Sequence, residues 1–252
     1  MEKEFCEGLY EIGRACGKIA KDIVELHKNL EEVLFVVPLR GGLPIWVGVG
    51  YGLYKCLGPF EADVLFIPAS STVEKRSERL EEKISSLLKK RLENYKAIVI
   101  VDEAISGSSS KMVLDSVKEG VKNYTPDNGR WRRSYWERIS IELYLVAAHL
   151  GKKLNPRIQK LRNVLIYPVT GNIVTTDNSK IYPVEYINEI RREKSEDGIV
   201  HKIVSPDVLF LENKYWREVV NWIERGVDKY FEEEISSNQY KVEQSACSPI
   251  TC

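Results

Sequence analysis

The chain has 252 residues, 43% of them hydrophobic and 29% charged, which is enough for one large α/β domain or a core domain with an appendage. Lys+Arg and Asp+Glu number 37 each, so the formal net charge is zero; this argues against broad electrostatic attraction to nucleic acid and requires any anion site to be local. Met1 to Glu4 is a charged start and no apolar run approaches a membrane span, so a cytoplasmic, membrane-free protein is expected.

The five cysteines are scattered and odd in number, which does not describe a closed disulfide framework. Cys247 and Cys252 have no nearby histidine to complete a metal site. Apolar residues at Phe5, Leu9, Ile12, Cys16, Ile19, Ile23, Leu26 and Leu30 recur every three or four positions, the pattern of an amphipathic helix packing on a sheet. Val33 to Leu39 reads as a buried strand that runs into the turn Arg40-Gly41-Gly42, and Leu43 to Leu57 as a second helix. Gly48 and Gly50 lie inside that helix instead of opening it, which excludes a dinucleotide fingerprint; a P-loop pattern is absent as well.

Asp63 to Pro68 is a short strand, and Ser71-Thr72-Val73-Glu74 is a capping-box pattern that starts a charged helix with apolar positions at Leu80, Ile84, Leu87, Leu88 and Leu92. Ala97 to Val101 is continuously apolar and largely β-branched, as expected of a strand buried on both faces of a parallel sheet. Asp102 and Glu103 follow it, where ligands of such sheets bind. Their carboxylates suit sugar hydroxyls or Mg²⁺, held directly or through water. The loop Ala104-Ile105-Ser106-Gly107-Ser108-Ser109-Ser110 then offers N–H groups, hydroxyls and a helix N-terminus, which together suit a phosphate. A plainer alternative is that the serines only cap the helix that follows.

Lys111 to Val121 continues as a helix, Ile139 to Leu145 alternates as a strand, and Val164 to Tyr167 forms the next core strand. Arg130 to Trp136 interleaves cations with aromatic residues, a pattern that fits either a packed surface loop or base stacking. Tyr215, Val219, Val220, Trp222, Ile223, Val227, Tyr230 and Phe231 give a C-terminal helix a large apolar face, which must pack on the core or on a second subunit. The expected division is an α/β domain over 1–190, a C-terminal helical extension over 191–236 and a disordered tail over 237–252.

Asp102 to Ser110 resembles the PRPP-binding motif of the type I phosphoribosyltransferases, and Val33 to Gly42 resembles that family's upstream pyrophosphate loop. The resemblance covers roughly residues 30 to 170. It implies an α/β fold with a mostly parallel central sheet flanked by helices, a small hood built partly from Pro168 to Ile173, and a C-terminal extension beyond the family core. It also implies transfer of a 5-phosphoribosyl group from Mg·PRPP to a nucleobase or related small acceptor, with release of pyrophosphate, by a homodimer.

In that scheme Asp102 and Glu103 contact the ribose hydroxyls and assist Mg²⁺. Arg40 and the N–H groups of Gly41 and Gly42, following Leu39, bind pyrophosphate, and Ala104 to Ser110 wraps the 5-phosphate. Lys75, Arg76 and Arg79 belong to a flexible loop that closes over the substrate. The sequence departs from the family in one loop, where Gly107-Ser108-Ser109-Ser110 stands in place of the usual Thr-Gly-Gly-Thr. Ser106 also replaces the carboxylate common in the 6-oxopurine branch, which argues against hypoxanthine or guanine as acceptor. The alternative function is a regulator that senses PRPP or a nucleotide on the same fold and engages nucleic acid or protein without turnover.

Overall fold

Burial on both faces dictates the central strands. β1 (Val33–Leu39), β2 (Asp63–Pro68), β3 (Ala97–Ala104), β4 (Ser140–Ala147) and β5 (Val164–Pro168) form one parallel sheet in the order β2-β1-β3-β4-β5. Every residue of β1 and of β3 is buried, so neither strand has a solvent face to mark with polar residues. The computed structural model describes residues 3–69, 81, 82, 86, 95–123, 138–171, 184–195, 198–210 and 214–246. The capping box at Ser71, most of the charged helix after it, the Arg130 to Trp136 cluster and the segment from Asn172 to Pro183 lie outside the described residues.

Among the described residues the main helices are α1 (Lys3–Leu26), α2 (Gly42–Leu57), α3 (Ser108–Asn123), a short α4 (Pro156–Gln159) and α5 (Lys214–Ala246). α1, α2 and α5 cover one face of the sheet, where Ile12, Cys16, Ile19, Ile45, Val49, Ile223 and Val227 meet Phe35, Val99, Val101 and Tyr144. α3 and α4 cover the other, where Val113, Leu114, Val117 and Ile158 meet Ile98, Ile100, Leu143 and Leu145. The fold is therefore α/β with a parallel sheet between two helical layers, as the strand and helix patterns predict.

The apolar face of α5 packs on the core of its own chain. Val219, Ile223 and Val227 are fully buried, and the helix crosses α1 where Gly13 and Gly226 meet backbone to backbone: a Cβ on Gly226 would lie 2.9 Å from the Gly13 Cα. Arg14–Glu233 and Lys21–Glu234 ion pairs flank the crossing. Residues 184–210 hold an antiparallel ribbon, β6 (Val184–Ser195) and β7 (Gly198–Phe210), and α5 continues past residue 236 to Ala246.

Candidate functional site at the β1/β3 switch point

The chain leaves β1 through α2 toward β2 on one side and leaves β3 through α3 toward β4 on the other, so the sheet order reverses between β1 and β3. Ligands of open α/β sheets bind in the crevice at the carboxyl ends of such a pair. Paired register between β1 and β3 runs from Val33↔Ala97 to Val36↔Ile100, while both strands continue beyond it, to Leu39 and Ala104. The segments that carry the two sequence motifs are these continuations.

On the β1 side, the chain turns through Arg40 and Gly41, and α2 begins at Gly42. The Leu39–Arg40 peptide is cis. Leu43 N–H donates to Arg40 O at 3.1 Å, closing the turn. Gly42 is buried hard against the next strand, since a Cβ there would lie 2.7 Å from Val101 O. Leu39 and Leu43 are buried, with Phe66 and Trp216 packed on them, so the start of α5 braces this turn.

On the β3 side the strand runs further than its apolar stretch, and Asp102, Glu103 and Ala104 pair in register with Leu145, Val146 and Ala147 of β4. Alternation along the strand sends the two carboxylates to opposite faces. Asp102 shares the face of Ile98 and Ile100, under α3, where Ser110 Oγ donates to its Oδ2 at 2.6 Å and Glu103 N–H donates to its Oδ1 at 2.9 Å. Burial pushes the Asp102 carboxyl up to about 7, against the opposing pull of those two hydrogen bonds. Glu103 lies on the face of Val99 and Val101 with both carboxylate oxygens buried. The Cys16 thiol of α1 is pushed up, first by its own burial and then by the nearby Glu103 charge.

The loop beyond is held from α3 and α4. Gly107 has φ +75°, a conformation that suits glycine; a Cβ there would also meet the Ile158 Cδ1 at 2.5 Å. Asn155 N–H donates to Ser106 O at 3.0 Å, and Lys111 N–H donates the opening bond of α3 to Gly107 O at 2.9 Å. The N–H groups ahead of Lys111 are therefore outside the helix ladder. Ser106, Ser108 and Ser109 are exposed there, Ile105 is half-buried, and Ser110 is buried.

The structure thus brings Leu39 to Gly42 and Asp102 to Ser110 to one end of two neighbouring strands. It does not bring Asp102 and Glu103 to one point. Lys75, Arg76 and Arg79 lie outside the described residues. Among the described residues no group of three His, Cys, Asp or Glu side chains is arranged to hold a metal ion, and two carboxylates on opposite faces do not fit a shared Mg²⁺ site. Asn155, Ile158, Phe66 and Trp216 support the site without having been singled out in the sequence. Asn155-Pro156 was a readable signal, because Asn at a helix cap followed by Pro at the first turn marks a helix start.

No family model matches the chain, and no curated protein matches its sequence. Solved structures similar to it include an HGPRT-ase from Leishmania tarentolae in complex with GMP, at 15% identity over 65% of this chain and 78% of that one, with a TM-score of 0.38. A hypoxanthine-guanine-xanthine phosphoribosyltransferase aligns at 13% identity over 64% and 76% of the two chains, TM-score 0.36. The L. donovani hypoxanthine-guanine phosphoribosyl transferase aligns at 16% over 67% and 79%, TM-score 0.34. Likeness at this level assigns neither activity nor substrate to this chain.

Proposed function

We propose that the protein is a phosphoribosyltransferase, binding PRPP in the β1/β3 crevice and transferring its 5-phosphoribosyl group to a nucleobase or related small acceptor. The observation that carries this reading is the pair of helix starts, Gly42 of α2 and Ser108 of α3, at the carboxyl ends of the adjoining strands. Each helix start presents N–H groups and the positive end of a dipole. A ligand with a phosphate at either end of a sugar offers one anion to each helix start. PRPP is such a ligand.

In this scheme Arg40, Gly41 and Gly42 bind the pyrophosphate that departs from C1, and the loop from Ala104 to Ser110 binds the 5-phosphate. Binding at both ends fixes C1 for attack by a ring nitrogen and converts phosphate affinity into orientation. The departing charge is met by the α2 N-terminus and the Arg40 guanidinium, which favours bond breaking more than ground-state binding. No step is assigned to a protein-held metal, since the carboxylates do not converge.

A second reading, a sensor that binds PRPP without turnover, is favoured by the burial of both carboxylates. Calorimetry with PRPP, followed by a pyrophosphate-release assay across adenine, uracil, orotate and xanthine, separates the two. Binding with release for one base is the expected result. Binding with no release for any acceptor selects the sensor, and absence of binding by folded protein rejects both.

A further inference from the structure

We propose that Asp102 is a positioning residue: through Ser110 it fastens the first turn of α3 to β3 and holds the 106–110 loop in its phosphate-receiving shape. The inference rests on the reading that this loop receives the ligand's 5-phosphate. It assigns the first acid of the pair a different task from contact with the sugar.

Each oxygen of Asp102 accepts a hydrogen bond from the protein itself, one from the Ser110 hydroxyl and one from the Glu103 N–H. Asp102 is 5% exposed and Ser110 1% exposed, so the pair sits beneath the loop instead of facing the crevice. A sugar hydroxyl would have to reach Oδ2 beneath the loop and share it with Ser110. The remaining anchors show why such a fastening matters. Ala104 O is held by Ala148 N–H at 3.0 Å and Ser106 O by Asn155 N–H at 3.0 Å, which fix the start and middle of the loop. Its far end, where the α3 N–H groups point outward, is tied to β3 by the Asp102–Ser110 bond. Without that bond the helix start is free to shift, and backbone N–H groups misplaced by about 1 Å lose much of their hold on a fixed anion.

The test uses the full chain with Ser110→Ala, Ser110→Thr, Asp102→Ala, Asp102→Asn and the Asp102→Ala/Ser110→Ala double variant. Affinity for ribose 5-phosphate and for pyrophosphate is read by calorimetry, and thermal unfolding is followed for each protein. Ser110→Ala and Asp102→Ala are each expected to weaken ribose 5-phosphate at least about tenfold, the scale of one lost hydrogen bond to a carboxylate. The double variant should be no weaker than Asp102→Ala alone, because Ser110→Ala removes only a bond that Asp102→Ala already removes. Ser110→Thr and Asp102→Asn should recover most of the loss, since hydroxyl and amide keep the link. Pyrophosphate should lose less than ribose 5-phosphate.

Losses that multiply in the double variant would overturn the proposal. So would an Asp102→Asn protein as impaired as Asp102→Ala beside a harmless Ser110→Ala, which would place the charge itself on the ligand. Failure of the wild type to bind ribose 5-phosphate overturns the phosphate-loop reading; the fastening is judged separately by unfolding midpoints, where additive shifts in the cycle would overturn it.

Discussion

Glu142 stands on the α1 side of β4, where the alternating strand pattern leaves a polar position. Three groups converge on it: His27 Nε2 donates to its Oε2 at 2.9 Å, the Tyr144 hydroxyl donates at 3.1 Å, and Ser140 adds a hydrogen bond. Burial alone would raise its pKa, but the His27 hydrogen bond and charge, with the two hydroxyl bonds, outweigh burial and lower it below the ordinary 4.5. The folded state therefore binds this proton less readily than the unfolded state does. Stability from Glu142 is full above pH 4.5 and is lost as pH falls through the lowered folded value. Glu142→Gln should flatten the acid limb of the unfolding midpoint against pH while leaving its shape above neutrality alone; an unchanged acid limb would show that the pair contributes nothing. The alternation that marks Glu142 is readable in the sequence. Its partner His27, 115 residues away, is not, because no local pattern encodes which helix end lies over which strand. The same holds for Asp102 and Ser110, where the acid, the loop and the helix are legible but the turn that buries one against the other is set by the packing of Gly107 on Ile158.

Among the elements, the crossing of α1 and α5 depends on two glycines. A Cβ on Gly226 would run into Tyr10 O and lie 2.9 Å from Arg14 N, all backbone that cannot swing aside. Gly226→Ala should destabilise the protein by about 1–3 kcal/mol, the usual scale of overpacking, in a denaturant titration. Gly50 of α2 offers the internal contrast. Its nearest neighbours are Trp46 ring atoms at 4.0 Å, so Gly50→Ala should gain up to about 1 kcal/mol from helix propensity. Equal effects at the two positions would mean that the crossing is not close. The apolar face of α5 is evident in the sequence because its residues follow a helical period, yet the period leaves open whether core or partner covers it. The ribbon at 184–210 escapes notice for a different reason. A register shift between Asn188 and Ile190 breaks the two-residue alternation, and Pro206 within β7 argues against a strand when met in sequence alone.

At the scale of the molecule, strands β1 to β5 are legible because burial on both faces selects unbroken apolar runs, but their order is not, since it follows from which face each connecting helix covers. That order sets two ordinary turns, Arg40 and the Ser106 to Ser110 loop, at the ends of neighbouring strands. If the crevice divides its work as proposed, the two ends of the ligand should respond independently to substitution. Arg40→Ala removes a guanidinium suited to an oxyanion from the β1 side only, while the α3 loop keeps its anchors on β4 and α4. Pyrophosphate affinity should fall about tenfold or more, the scale of one charge-assisted hydrogen bond, with ribose 5-phosphate affected much less. The drop should shrink as salt is added, since it is a charge effect at a partly exposed position. Equal losses for both ligands would mean that Arg40 acts by shaping the turn beneath Leu39 and Leu43, and that the two ends of the crevice are mechanically coupled through β1 and β3.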